Sequence, residues 1–238
     1  MKRQKKIRIW LIPAGIIVLL AAIFLIYAGQ YYRADTFALS MLESDEKVSV
    51  MPTDYGWLFD GPSEDEALIF YPGAKVEETA YAPLMHRIAE YGMDVCLVKM
   101  PFRFAFLGMN KADRVVEMYD YDHWYIGGHS LGGAMAAVYA AENSGQLTGV
   151  IFLAAYPTKS LDESLRVVTI YGSEDRVLNP DKMSEGEQYM PEEHEEYVIE
   201  GGNHAQFGNY GKQSGDGDAA ISADEQQRLT AARIRELF

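Results

Sequence analysis

The chain has 238 residues, 48% of them hydrophobic, which suits one sizeable packed domain with an appendage and excludes a disordered polymer. Its formal charge is −14, yet five of its 21 Lys and Arg residues (Lys2, Arg3, Lys5, Lys6 and Arg8) stand ahead of residue 29 with no acid among them. The remainder carries 16 basic against 35 acidic residues, which excludes nucleic acid as a partner by repulsion from phosphate.

In chain order, the run from Ile9 to Ala28 holds no charge and is dominated by Ile, Leu, Val, Ala and Phe. At about 1.5 Å per residue it reaches roughly 30 Å, the hydrocarbon thickness of a bilayer, so a transmembrane helix is expected. The basic cluster before it is expected to stay cytoplasmic, which places the rest of the chain outside. Secretion after signal cleavage is the alternative, but Ile26-Tyr27-Ala28 is a poor cleavage site and favours an uncleaved single-pass anchor. The expected organisation is an anchor over 1–29, a polar stalk over 30–47, and one domain over 48–238.

Within that domain, Val48 to Val50 and Tyr55 to Phe59 read as short strands, followed by a turn at Asp60-Gly61-Pro62-Ser63. Ala67 to Tyr71 is a continuous apolar run, as in a strand covered on both faces. Thr79 to Tyr91 has helical spacing and ends at Gly92; Val95 to Met100 is the next buried strand. The single cysteine, Cys96, lies in that run and reads as core; alone it excludes an internal disulfide and a multi-cysteine metal site. Ala112 to Met118 is helical, Trp124 to Ile126 a strand, and Leu131 to Glu142 a helix. Gly149 to Leu153, Val167 to Tyr171 and Glu196 to Ile199 are strands, and Ser222 to Leu237 is the last helix, with Ser222 and Glu225 spaced as a capping box. Alternation of strand and helix from residue 67 onward implies an α/β fold, a mostly parallel sheet with helices on both faces.

Between one strand and the next helix stands Gly128-His129-Ser130-Leu131-Gly132, a G-x-S-x-G pattern. At a strained strand-to-helix turn such a serine is lifted from the sheet and faces the helix N-terminus. The rival reading is a glycine-rich turn whose serine caps the helix.

Reactive groups in an open parallel sheet gather at the carboxyl ends of the strands. After the strand ending at Tyr71 comes Pro72-Gly73-Ala74-Lys75, where the Ala74 amide is a candidate oxyanion donor together with the amide of Leu131; an ordinary Pro-Gly turn competes. Tyr171-Gly172-Ser173-Glu174-Asp175 offers Asp175 as the acid that orients an imidazole, with Glu174 beside it and Asp181 further along. Gly201-Gly202-Asn203-His204 offers His204; of the other histidines, His129 is beside Ser130, His86 on a helix, His123 at the wrong strand end and His194 among glutamates. Lys75 and Phe102 are candidate substrate contacts, with solvent the alternative for Lys75 and core packing for Phe102, and Asn209 to Asp218, rich in glycine, reads as a flexible rim. The order Ser130, Asp175, His204 along successive strands is that of a nucleophile, an orienting acid and a base.

On these motifs the sequence resembles the α/β-hydrolase superfamily over residues 48 to 238. It is similar in particular to a compact bacterial branch related to dienelactone-hydrolase-like serine hydrolases. The matching residues are Phe70 to Val76, Gly127 to Gly133, Gly172 to Asp175 and Gly202 to Gly211. The resemblance implies a serine nucleophile in place of cysteine and fixes no substrate; no cofactor or metal is expected, and the expected partner is a small-molecule or lipid-like acyl substrate. Three functions are open: a membrane-anchored hydrolase of esters or related acyl bonds, an acyltransferase on a cell-envelope acceptor, and a non-catalytic binding domain of the same fold.

Overall fold

The computed structural model describes residues 2–62 and 65–238, without the side chains of residues 2–12. The chain divides into two compact units, Met1–Tyr31 and Tyr32–Phe238. The first is helix α1, Lys2–Gly29, with Pro13 inside it. Among the described residues no helix is long and apolar enough to cross a membrane. The span expected from Ile9 to Ala28 begins in side chains outside the described residues.

The second unit opens on part of the segment expected to be a stalk. Tyr32 bridges to Val76, and the Ala34 amide donates to Glu77 Oε2 at 3.0 Å. The short helix α2, Thr36–Ser40, buries Ala38 completely, so this stretch packs onto the body. The eight strands are β1 Ser49–Pro52, β2 Gly56–Asp60, β3 Glu66–Tyr71, β4 Asp94–Val98, β5 His123–His129, β6 Gly149–Leu153, β7 Arg166–Gly172 and β8 His194–Ile199. They form one sheet in the order β1-β2-β4-β3-β5-β6-β7-β8. The β1–β2 and β2–β4 pairs are antiparallel and every other pair is parallel. Ser63 of the expected turn lies outside the described residues.

The helices between them are α3 Ala82–Glu90, α4 Lys111–Val116, α5 Leu131–Asn143, α6 Pro180–Gly186 and α7 Ala223–Leu237. The helix expected from Thr79 starts as a 3₁₀ turn, Glu78–Tyr81, because Pro83 has no N–H to continue an α-helical ladder and belongs in a first turn. Side-chain alternation divides the core. Leu68, Phe70, Val95 and Leu97 join Leu84 and Ile88 of α3 and Ile234 of α7 on one face. Ile69, Cys96, Ile126 and Phe152 join Val115 of α4 and Ala136 and Ala140 of α5 on the other. Cys96 is core as expected, and burial pushes its thiol up to about 12. Half of the expected capping box forms at α7. Ser222 Oγ accepts from the Glu225 amide at 3.1 Å, but the Glu225 carboxylate turns to Arg228 instead of reaching back.

Candidate active site

β5 runs straight into the G-x-S-x-G turn. Ser130 has φ 54° and ψ −123°, a conformation that costs an ordinary residue about 1–3 kcal/mol, and its side chain makes no capping hydrogen bond to α5. The serine is therefore a turn apex and not a helix cap. The turn needs glycine at 132: a Cβ there would lie 2.1 Å from the Tyr71 carbonyl oxygen and 2.4 Å from that of Pro72. The elbow thus packs directly against the loop that leaves β3.

Backbone strain marks the same edge of the sheet independently. Among the described residues, the non-glycine positions with positive φ are Lys75, Phe102, Arg103, Ser130 and Ala154. They follow β3, β4, β5 and β6 at the carboxyl ends, where strained backbone is kept when surrounding structure over-determines it.

Asp175 and His204 meet at this edge from β7 and β8. Asp175 Oδ2 lies 2.8 Å from His204 Nδ1, with side-chain exposures of 1% and 2%. The other oxygen, Oδ1, accepts the amides of Val177 and Leu178, each at 2.8 Å, which fixes the carboxylate in its turn. A carboxylate on Nδ1 sets the neutral ring's proton there and leaves the lone pair on Nε2. His204 Nε2 is buried and has no hydrogen-bond partner. His204 lines a cavity of about 410 Å³ together with Ser130, Leu131, Met135, Tyr156, Val177 and Leu178. No hydrogen bond joins Ser130 Oγ to Nε2 here, although both line that cavity; such contacts commonly tighten only around substrate.

The main-chain amides of Ala74 and Leu131 at this edge have no acceptor among the described residues. Leu131 lines the cavity; Ala74, Lys75 and Phe102 do not. The walls come instead from the β6 and β7 loops, so the substrate contacts expected from Lys75 and Phe102 are not part of this space. Phe102 stands half-exposed, and Phe104 beside it is buried.

Several supporting residues escaped sequence reading. Asp216, in the stretch expected to be flexible, accepts the amides of Ala205 at 2.9 Å, Gly217 at 2.8 Å, His204 at 3.3 Å and Arg176 at 3.4 Å. The glycine-rich rim is therefore tied to the histidine loop by one carboxylate. From α7, Gln226 pairs with both main-chain polar groups of Asn203, at 2.9 and 2.8 Å. His129, next to the serine, is fully buried with its ring centroid 4.5 Å from that of His204. Burial, and then the neighbouring His204 charge, hold it well below the usual histidine range, so it is a neutral support and not a second base.

Residues 67–228 match the profile described as the Alpha/beta hydrolase family. No curated protein matches the chain. The structure is similar to a Paleococcus ferrophilus monoacylglycerol lipase with a TM-score of 0.59 at 13% identity, covering 81% of this chain and 100% of that one. A predicted CIB-like hydrolase from Thermoplasma acidophilum gives 0.58 at 13% identity, covering 80% and 100%. Est1E from Butyrivibrio proteoclasticus gives 0.54 at 11% identity, covering 81% and 99%. At such identities the likeness is one of fold, and it does not single out the dienelactone-hydrolase-like branch.

Proposed function

The chain belongs to the alpha/beta hydrolase family, and from that premise we propose that it is a serine hydrolase that cleaves an ester or related acyl bond through an acyl-enzyme. One observation carries the reading: the buried Asp175–His204 pair leaves Nε2 unpartnered, and His204 and Ser130 line the same cavity. His204 Nε2 takes the Ser130 proton as Oγ attacks the acyl carbon, and Asp175 holds the ring's tautomer and stabilises the imidazolium. Negative charge on the tetrahedral oxygen is met by the uncommitted amides of Leu131 and Ala74. Collapse expels the leaving group, which takes the proton from Nε2; water, activated by the same ring, then releases the acid and restores Ser130.

The charge-free run behind a basic cluster supports residues 9–28 as an anchor that holds the catalytic unit outside the cytoplasm. Retention of the full-length chain in the membrane pellet after alkaline carbonate extraction is the expected result, and release into the supernatant refutes it. The catalytic reading is tested with a fluorophosphonate probe. Wild type is expected to label and Ser130→Ala to stay unlabelled; an unlabelled wild type, or equal label on both, refutes it.

A further inference from the structure

The loop that leaves β3 has three amides in a row, at Gly73, Ala74 and Lys75. Two are committed: Gly73 N–H donates to Tyr81 Oη at 3.1 Å, and Lys75 N–H donates to the Arg103 carbonyl at 2.9 Å. Val76 N–H closes back on the Gly73 carbonyl at 3.3 Å. The loop is thus clamped on both sides of Ala74, whose own amide has no acceptor among the described residues. The clamp at Lys75 is main chain on main chain. The clamp at Gly73 depends on one hydroxyl.

That hydroxyl has a single proton. An amide can only donate, so Tyr81 Oη accepts from Gly73; its one other partner among the described residues is His129 Nδ1, 2.8 Å away, and the assignment that gives the hydroxyl proton an acceptor sends it there. His129 is therefore an acceptor at Nδ1 and carries its proton on Nε2. Its ring is wedged between Tyr81, His204 and Phe207, with centroids 5.7, 4.5 and 5.6 Å away. A Cβ at position 73 would lie 2.8 Å from His129 Nδ1 and 2.9 Å from Tyr81 Oη, so only glycine lets the hydroxyl reach the main chain. The oxyanion loop and the histidine loop consequently bear on the same buried imidazole.

We propose that Tyr81 is a positioning residue that fixes the oxyanion loop so that the Ala74 amide is held for the reaction, with His129 setting the direction of the Tyr81 hydroxyl. This rests on the serine-hydrolase reading above. Tyr81 touches no reacting atom; it acts through Gly73.

Tyr81→Phe keeps the ring against Phe70 and Tyr210 and removes only Oη. With a p-nitrophenyl ester, kcat is expected to fall about tenfold or more, short of the roughly 10²–10³ for outright loss of an oxyanion donor, with KM within about twofold. Affinity for a trifluoromethyl ketone, which becomes an oxyanion when Ser130 adds to it, is expected to weaken in proportion to kcat/KM. As a second pair, His129→Asn retains an acceptor and is expected to lose less kcat than His129→Leu, an ordering that decides the matter even where Tyr81→Phe unfolds. Unchanged kcat in a folded Tyr81→Phe overturns the proposal, as does a fall in kcat without loss of ketone affinity or equal losses in the two His129 variants. A wild type that does not label with fluorophosphonate overturns the serine-hydrolase reading and this proposal with it; a wild type that labels, with Tyr81→Phe at full rate, overturns this proposal alone.

Discussion

Replacing Gln226 with leucine tests whether the C-terminal helix holds the histidine loop in place. Gln226 is 0% exposed, and its amide pairs reciprocally with Asn203, accepting from the N–H at 2.9 Å and donating to the C=O at 2.8 Å. Leucine is close in size, so little cavity forms, but a buried N–H and C=O are left without partners. Each such orphan costs about 1–3 kcal/mol, so the pair should cost about 2–6 kcal/mol, toward the lower figure where the loop shifts to reach water. Against a domain stability of about 5–15 kcal/mol the variant stays folded but weakened. The next residue in the chain is His204, and displacement of a catalytic group by about 1 Å costs on the order of 10² in rate. Urea unfolding of the two proteins gives the first quantity, and the rate of fluorophosphonate labelling the second. A loss below about 1 kcal/mol with an unchanged labelling rate would refute the reasoning. It would mean that the Asn203 side chain, bonded to the Gly217 carbonyl and the Gln206 amide, fixes the loop by itself.

Gly132→Ala places a Cβ 2.1 Å from the Tyr71 carbonyl oxygen, so either the elbow or the β3 loop must move. The expected outcome is a loss of several kcal/mol and of labelling at Ser130; a variant as stable and as reactive as wild type would show that the elbow tolerates spreading. The buried His129 gives a pH dependence of stability. Its pKa is lowered in the folded state from the usual 6.5, by burial first and then by His204, so its contribution is complete above that value and is lost as pH falls below it. Below the unfolded-state pKa the unfolded chain binds a proton that the folded chain refuses, and wild type should lose about 1.4 kcal/mol per pH unit more than His129→Asn. Parallel stability curves for the two proteins between about pH 6 and pH 5 would refute it.

The sheet was legible because strands covered on both faces leave unbroken apolar runs, and Ala67 to Tyr71 needs no partner in view to be read as one. Legibility fails where burial fails. The expected last strand begins two residues late, since β8 opens on His194 and Glu195 at the sheet edge, where side chains stay largely in water. β5 was read as ending at Ile126 because glycines weaken a strand signal, yet Gly127 and Gly128 continue the ladder to β6. Within the site, Ser130, Asp175 and His204 were legible because each stands in a turn chemistry that follows a strand. The groups that hold them were not, because they act from distant segments through main-chain partners: Gln226 reaches Asn203 across 23 residues, and Asp216 reaches His204 across 12. One signal was nevertheless present in the last helix. Ala231 and Ile234 mark its inward stripe, and that stripe runs back through Thr230, Gln227 and Gln226, all buried. Polar residues on a core-facing stripe break the hydrophobic pattern at a cost, so each must be matched by a polar partner: Thr230 bonds back to the Gln226 carbonyl, and Gln226 and Gln227 bond to the loop that carries the histidine.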